Sequence, residues 1–317
     1  MRRVFAAFAL VLFGQGVSAQ SFPSKPIRLI APFAAGGALD LIARGVGAKL
    51  AESMGQPVVV ENRAGASGAI GSEAVARSAP DGYTLLLGAT TTHGVNPALN
   101  PKLSYDPVRD FTPVSLVATI PHALVVNPSL PVNSVQDLVK YARSGHPLNY
   151  GSAGNGSPHH LAAELFKSMS GIQAVHVPYK GSGPALADLM SGQIQFISVE
   201  LTAAEPYMKS GKLKALATAT AERVPGMSLP TVGESGYPGF EVTSWYAIFG
   251  PAGMPAEVTG RLSAEIAKAV NETDLRDRLK GLGTTPIGST PEALAAHVRA
   301  ELERWTRVVK AAGIKPE

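Results

Sequence analysis

Four times in this chain an apolar run passes through a glycine-rich turn into a helical pattern. The first is "IRLIAPFAAGGALDLIAR" from Ile27, and the second "VVVENRAGASGAIGSEAVA" from Val58. The third is "NYGSAGNGSPHHLAAELF" from Asn149, and the fourth "HVPYKGSGPALADLM" from His176. Strand-like runs fall at Ile27–Pro32, Val58–Glu61, Thr84–Gly88, Ala123–Val126, Val175–Pro178, Ile194–Val199 and Leu213–Thr218. Helical spacing separates them at Ala38–Met54, Gly68–Ser78, Val135–Arg143, Pro158–Met169 and Pro184–Met190. Strands that alternate with helices predict an α/β architecture with largely parallel sheets.

Each turn opens a helix, whose first amides point outward without partners and favour an anion. Ligands of open α/β sheets bind beyond the carboxyl ends of the strands, where such turns gather. "PFAAGGALD" therefore has three readings: a nucleotide site, a carboxylate site, or a turn that only permits close helix–strand packing. Spacing removes the nucleotide, because "GASGAIG" is not G-x-G-x-x-G and no G-x-x-x-x-G-K-[ST] occurs. His159 and His160 are adjacent and diverge on a helix, without the company a metal site needs. His93, His122 and His176 are isolated, a pattern that fits hydrogen-bonded structural or rim residues. No G-x-S-x-G elbow is present, although "GNGSP" resembles one loosely, so a hydrolase built on Ser157 or Ser67 stands as a competing class. Ser157 also reads as a helix N-cap, with Pro158 at the first helical position.

The first twenty residues, "MRRVFAAFALVLFGQGVSAQ", have two arginines, an apolar segment from Val4 to Phe13 and the small-residue site Val17-Ser18-Ala19. That is a secretory signal peptide, residues 1–19, with cleavage expected to leave Gln20 in front. No later segment approaches the apolar length of a membrane span. With no cysteine, the chain has neither disulfides nor thiolate chemistry, nor a lipid-anchor site after the signal. The formal charge of +4 falls to +2 without Arg2 and Arg3, and the basic residues are scattered, which excludes a nucleic-acid footprint.

From Pro255 to Lys310 the chain is mostly helical. The last helix opens at Thr290-Pro291-Glu292 and would bury Leu294, Val298, Leu302, Trp305 and Val309. Length alone favours two lobes, and with no low-complexity linker the lobes are expected to be joined by crossing strands.

The motifs named above, with "HGVNPALNPKLSYDPVRDFTPVSLVA", "GSGPALADLMSGQIQF" and "SGKLKALATATAERVPGMSLPTVGESGYPGFEVTSWYAIFGPAGMP", closely resemble the substrate-binding receptors of tripartite tricarboxylate transporters, the Bug family. The resemblance covers nearly the whole chain after the signal. It implies a periplasmic two-lobed Venus-flytrap fold of type II-like character, each lobe a mostly parallel sheet flanked by helices. It also implies a receptor, not an enzyme, that needs no cofactor. Such a receptor holds a small carboxylate between its lobes and delivers it, as a monomer, to integral membrane permease subunits. Lobe 1 is expected at 20–122 plus 245–317 and lobe 2 at 123–244, with crossings near Pro121–Ala123 and Ser244–Ala247. A sensor accessory that presents its closed form to a membrane signalling protein needs the same ligand-driven closure, and sequence does not separate the two roles.

By the same carry-over, Phe33, Ala35, Gly36 and Gly37 with Ala66, Ser67 and Gly68 cradle the carboxylate from the first lobe. Asn155, Gly156, Ser157, Tyr179, Lys180 and Gly181 face it from the second, and Thr90 and His93 complete the expected set. One departure stands out. After "GQIQF" the family shows an aromatic–Asp–Asn sequence, where this chain has Ser198-Val199-Glu200. If Glu200 points into the cleft it favours a ligand with a cationic group; if it lies at the rim it pairs with Lys180 or solvent. Trp245 and Tyr246 fit either cleft lining or hinge packing.

Overall fold

The computed structural model describes residues 22–281 and 284–312; the expected signal peptide lies outside the described residues. β1 (Ile27–Ala31) is buried except at Arg28, the pattern of a parallel strand covered on both faces. Arg28 reaches the neighbouring strand, where its Nε lies 2.7 Å from Glu61 Oε1. α1 (Ala38–Met54) buries Leu39, Ile42, Ala43, Val46, Leu50 and Met54 at helical spacing, and Gly55 ends it as a left-handed cap at φ +68°. β2 (Val58–Asn62), α2 (Ala69–Ala76), β3 (Thr84–Ala89), a π-helical turn at Thr91–Val95 and α3 (Asn96–Leu99) follow.

β4 (Phe111–Val126) is the longest strand and serves both halves of the molecule. Beyond it come α4 (Val135–Arg143), β5 (Asn149–Ser152), α5 (Pro158–Ser170), β6 (Val175–Pro178), α6 (Ser182–Ser191), β7 (Phe196–Glu200), α7 (Leu201–Lys209) and β8 (Lys214–Thr218). The chain then returns through β9 (Thr243–Pro251), α8 (Ala256–Asn271), α9 (Thr273–Gly281), β10 (Thr285–Pro286) and α10 (Pro291–Ala312).

The strand order is β2-β1-β3-β9-β4 in one half and β6-β5-β7-β4-β8 in the other, the same arrangement twice. In each half three strands are parallel, β2-β1-β3 and β6-β5-β7. The strands that tie the halves together pair antiparallel. β4 changes partner between Pro121, opposite Thr243 of β9, and His122, opposite Glu200 of β7.

The expected strand at Ala123–Val126 is thus only the end of β4. A proline within a strand ordinarily removes a ladder hydrogen bond. Pro113 instead sits beside a bulge and Pro121 at the partner change, two places where a missing N–H costs little pairing. α7 was not expected either, because Glu200 runs straight into it without a glycine turn and Pro206 lies inside it.

In α10, Leu294, Val298, Trp305 and Val309 are buried and Leu302 partly so. This helix packs on β4, on the Thr91–Val95 turn and on α3. The described chain is a two-lobed α/β molecule whose four glycine turns all lie at the ends of parallel strands. No described helix is long and apolar enough to cross a membrane.

Candidate functional site

The four glycine turns meet in pairs across the two halves. The Ala34 amide, after β1, donates to Lys180 O, after β6, at 2.9 Å. Ser67 Oγ, before α2, donates to Asn155 O, after β5, at 2.9 Å. Asn96 Nδ2 of α3 steadies the same turn by donating to Ser67 O at 2.9 Å. Ala66 and Ser67 take φ of +46° and +50°, left-handed conformations that side chains rarely adopt and that mark an over-determined turn. Packing is tight enough that only glycine fits at key points. A Cβ on Gly183 would overlap the Ala35 carbonyl oxygen, and one on Gly181, at φ +152°, would come 3.0 Å from the Ala34 amide nitrogen.

Two cavities remain between these contacts. The inner one, of about 20 Å³, holds about one water-sized group. Its walls are Phe33, Ala34, Gly37 and Leu39 at the start of α1, Ala89, Thr90 and Thr91 after β3, and Ser244 and Tyr246 of β9. From the other half come Ala153, Pro158 and His159 at the start of α5, Ser182 at the start of α6, and Glu200 at the end of β7. The outer cavity, of about 230 Å³, is walled by Phe33, Gly65, Ala66, Ser67 and Gly68 on one side. Ala153, Gly154, Asn155, Pro178, Tyr179 and Lys180 wall the other. Phe33 and Ala153 belong to both cavities. The N-termini of α1, α5 and α6 therefore converge on one space and favour negative charge there.

Glu200 lies at the bottom, 2% exposed. Its Oε2 is 2.9 Å from His159 Nε2, and its Oε1 accepts from Tyr246 OH at 2.7 Å and from Ser244 Oγ at 3.4 Å. Burial alone would raise its pKa, but His159, His122 and Tyr246 together outweigh it and hold the carboxyl well below the usual range. His122 Nε2 is 2.8 Å from Ser244 Oγ, and burial depresses the pKa of His122 to about 4. Burial and the neighbouring carboxylate push Tyr246 well above the ordinary phenol value. The rim placement of Glu200 with Lys180 is thereby overturned: Lys180 is exposed, and Glu200 is consumed by interior partners. Among the described residues no group of three His, Cys, Asp or Glu side chains is arranged to hold a metal ion.

Of the expected residues, Phe33, Gly37, Thr90 and Glu200 wall the inner cavity. Phe33, Ala66, Ser67, Gly68, Asn155, Tyr179 and Lys180 wall the outer one. Ala35, Gly36 and Gly181 serve the close approach of the turns instead of either wall. The Gly36 amide is spent on Asp40 Oδ2 at 3.1 Å, so it does not face the cleft as a free donor. Ser157 caps α5, accepting from His160 N at 3.4 Å, while Gly156 at φ +69° packs against Leu99. His93 is a correction: it is wholly buried behind the site, stacked on Phe249 at 3.9 Å, with Nδ1 2.9 Å from Thr92 Oγ1. Its isolation in sequence carried no sign of this aromatic neighbourhood.

Tyr246 and Trp245 divide the two roles left open for them. Tyr246 lines the inner cavity, whereas Trp245 turns its Nε1 to Glu301 Oε2 at 2.8 Å and its backbone N to Thr90 Oγ1 at 2.9 Å. Sequence reading missed His159, Ser182 and Ser244 as cleft residues. The available signal for His159 and Ser182 was their place in the first turn of a glycine-led helix.

Comparison with known proteins agrees with this geometry. The model of the tripartite tricarboxylate transporter receptor family matches residues 42–314. Protein BugT of Bordetella pertussis is 36% identical over 323 residues, covering 99% of each chain. A Rhodopseudomonas palustris protein solved with adipate is 40% identical, with TM-score 0.90, over 93% of this chain and 100% of that one. MatC of Rhodopseudomonas palustris, solved with bound malate, is 37% identical with TM-score 0.85, over 91% of this chain and 100% of that one. With its repeated strand order, its paired glycine turns and a family match over most of its length, the chain belongs to the tripartite tricarboxylate transporter receptor family.

Proposed function

We propose that this protein is a periplasmic receptor that closes its two lobes over a small organic carboxylate and delivers it to a transporter of the tripartite tricarboxylate type. The observation that carries the reading is the convergence of three helix N-termini, those of α1, α5 and α6, on the inner cavity between the halves, while the glycine turns before α2 and after β5 and β6 wall the outer one. Each terminus contributes about 0.3–1 kcal/mol toward an anion, and each direct amide bond to a charge about 1.5–3 kcal/mol. Relatives solved with adipate and malate supply the substrate class.

The lobes are assigned as 20–122 with 245–317 and 123–244. The hinge is then β4 at its partner change and the entry to β9. The N-terminal signal directs export, and the closed monomer is the form that meets the permease subunits. A hydrolase is disfavoured by the serines themselves: Ser67 Oγ donates to a backbone carbonyl and Ser157 Oγ caps a helix, neither paired with a histidine or carboxylate base. Calorimetry with C4 to C6 dicarboxylates, amino acids and aromatic acids is the test. Micromolar or tighter binding of at least one acid is expected. No heat with any of them overturns the proposal.

A further inference from the structure

Two histidines that belong to neither cavity wall hold the turn after β5 from behind. His160, in the first turn of α5, accepts from the Gly156 amide through Nδ1 at 3.1 Å. His176 of β6 sets Nε2 2.6 Å from Ser152 Oγ, the hydroxyl that accepts from the Gly154 amide at 3.1 Å. The two rings stack face to face, with centroids 4.1 Å apart and planes 6° apart, and Tyr150 stacks on His176 at 4.9 Å. The front of the same turn carries the site. Gly154 and Asn155 wall the outer cavity, and Asn155 O accepts from Ser67 Oγ of the opposite half at 2.9 Å. With glycine at 154 and 156, at φ +124° and +69°, the turn has little stiffness of its own, so these side-chain bonds decide its shape.

A backbone amide only donates, so His160 Nδ1 must offer a lone pair and the ring is neutral, with its proton on Nε2. A proton on Nδ1 would set N–H against N–H and cancel the bond to Gly156. The titratable and charged groups around the ring come from three elements. β6 brings His176 and β5 brings Tyr150. α5 brings Glu164 and Lys167, which pair with each other at 2.7 Å, and Glu164 also accepts from Tyr150 OH. His159, the preceding residue, turns to Glu200 instead. Burial lowers the pKa of His160, with Glu164 opposing and Lys167 adding to the shift. Burial, helped by His160, holds His176 at about 4. Both rings are therefore neutral at neutral pH.

We propose that His160 is a positioning residue for the ligand: its neutral Nδ1 fixes the Gly154–Gly156 turn in the shape that walls the outer cavity and meets Ser67. His176 supports it by stacking on the ring and by holding Ser152. Protonation of His160 releases the turn, so acid works against binding. The ligand-bound form needs the neutral ring, whereas a free form with the turn relaxed accepts a proton nearer the ordinary value of about 6.5. Protons then favour the free form, and affinity falls as pH falls. This rests on the carboxylate-receptor reading and adds to it the residue that keeps one wall of the site in shape.

The test is calorimetry of the full chain with malate, adipate and the amino and aromatic acids named above, at about pH 7.5 and about pH 5.5. Wild type is compared with His160→Asn, which places Oδ1 where Nδ1 stands and does not titrate, and with His160→Phe, which keeps a stacking face and loses the acceptor. At the higher pH the Asn protein should bind within about threefold of wild type and the Phe protein roughly tenfold more weakly, with thermal midpoints as the check on folding. Between the two pH values wild type should lose up to about tenfold more affinity than the Asn protein, the acid's own titration being common to both. Nuclear magnetic resonance of wild type gives a reading that needs no variant: the His160 ring should titrate at lower pH with the acid bound than without it. An unmoved titration, or a His160→Phe protein with wild-type affinity and pH profile, overturns this inference and leaves the receptor reading intact. Equal losses in the Asn and Phe proteins also overturn it, since the acceptor at Nδ1 would then not be what holds the turn. No binding of any acid by wild-type protein overturns the receptor reading and this inference together.

Discussion

Gly183 lies against the backbone of Ala35 so closely that a single added methyl would overlap the Ala35 carbonyl oxygen. Two halves of the molecule touch there with no side chain between them. Gly183→Ala should therefore hold the turns apart without disturbing either half. Ligand affinity should drop by at least about tenfold, because closure is part of the binding free energy. The radius of gyration from small-angle scattering should no longer contract on addition of a binding acid. A variant that contracts and binds like wild type would show that this contact does not gate closure.

Asp40 organises the first glycine turn and leaves the ligand to others. Its carboxylate accepts from Gly36 N at 3.1 Å and Asn62 Nδ2 at 3.0 Å and pairs with Arg44 at 2.9 Å. Burial works against the charge, but Arg44, the Gly36 amide and Asn62 prevail and lower the pKa. Asp40→Asn should cost about 1–2 kcal/mol at neutral pH, measured by urea unfolding. A depressed carboxyl pKa gives stability that is present above the unfolded value and lost as pH falls through the folded one. The gap between wild type and variant should accordingly persist down to about pH 4 and close only below it. A gap that closes already near neutrality would contradict this assignment.

What sequence disclosed and what it hid follow one physical division. An apolar strand, a glycine turn and a helix start are local patterns, so the four turns and β1, α1, α5 and α6 are legible from short windows. Tertiary context decided the rest. β4 extends through Pro113 and Pro121 because its partners tolerate a missing N–H there. Glu200 could be noticed as a departure, but its fate depends on His159 and Tyr246, which approach from α5 and β9 far along the chain. No local window holds all three residues, so neither the burial of the carboxylate nor its contact with His159 was readable. Gly36 shows the same limit at short range. The turn was recognisable as an anion site, yet its own Asp40 takes the amide.

His93 provides a test that separates core from site. Burial holds its pKa near about 3, so the native state refuses a proton that the unfolded chain accepts below about pH 6.5. The unfolded state then binds more protons, and stability rises with pH across that interval. Each buried neutral histidine of this kind contributes a slope of about 1.4 kcal/mol per pH unit between those values. His93→Phe should remove that contribution from the pH dependence of unfolding while leaving acid binding at neutral pH unchanged. Lost binding with an intact fold would return His93 to the ligand site.

Glu301 of α10 accepts from both tryptophans of the chain, and through Trp245 it joins the helix to the returning strand β9. Its Oε2 accepts from Trp245 Nε1 at 2.8 Å and from Trp305 Nε1 at 2.9 Å, and all three side chains are buried. Glu301→Leu leaves two indole N–H groups without an acceptor and should cost about 2–4 kcal/mol, given about 1–3 kcal/mol for each buried unsatisfied donor. Glu301→Gln places an amide oxygen where Oε2 stands and should cost about 1 kcal/mol or less, losing mainly the charge and the half-exposed contact with Arg304. Tryptophan emission reports directly on the change, since both fluorophores share this one acceptor. The Leu variant should shift in emission and unfold at lower urea, and the Gln variant should do neither by much. Equal losses in the two would mean that the charge of Glu301, and not its acceptor oxygen, holds α10 in place.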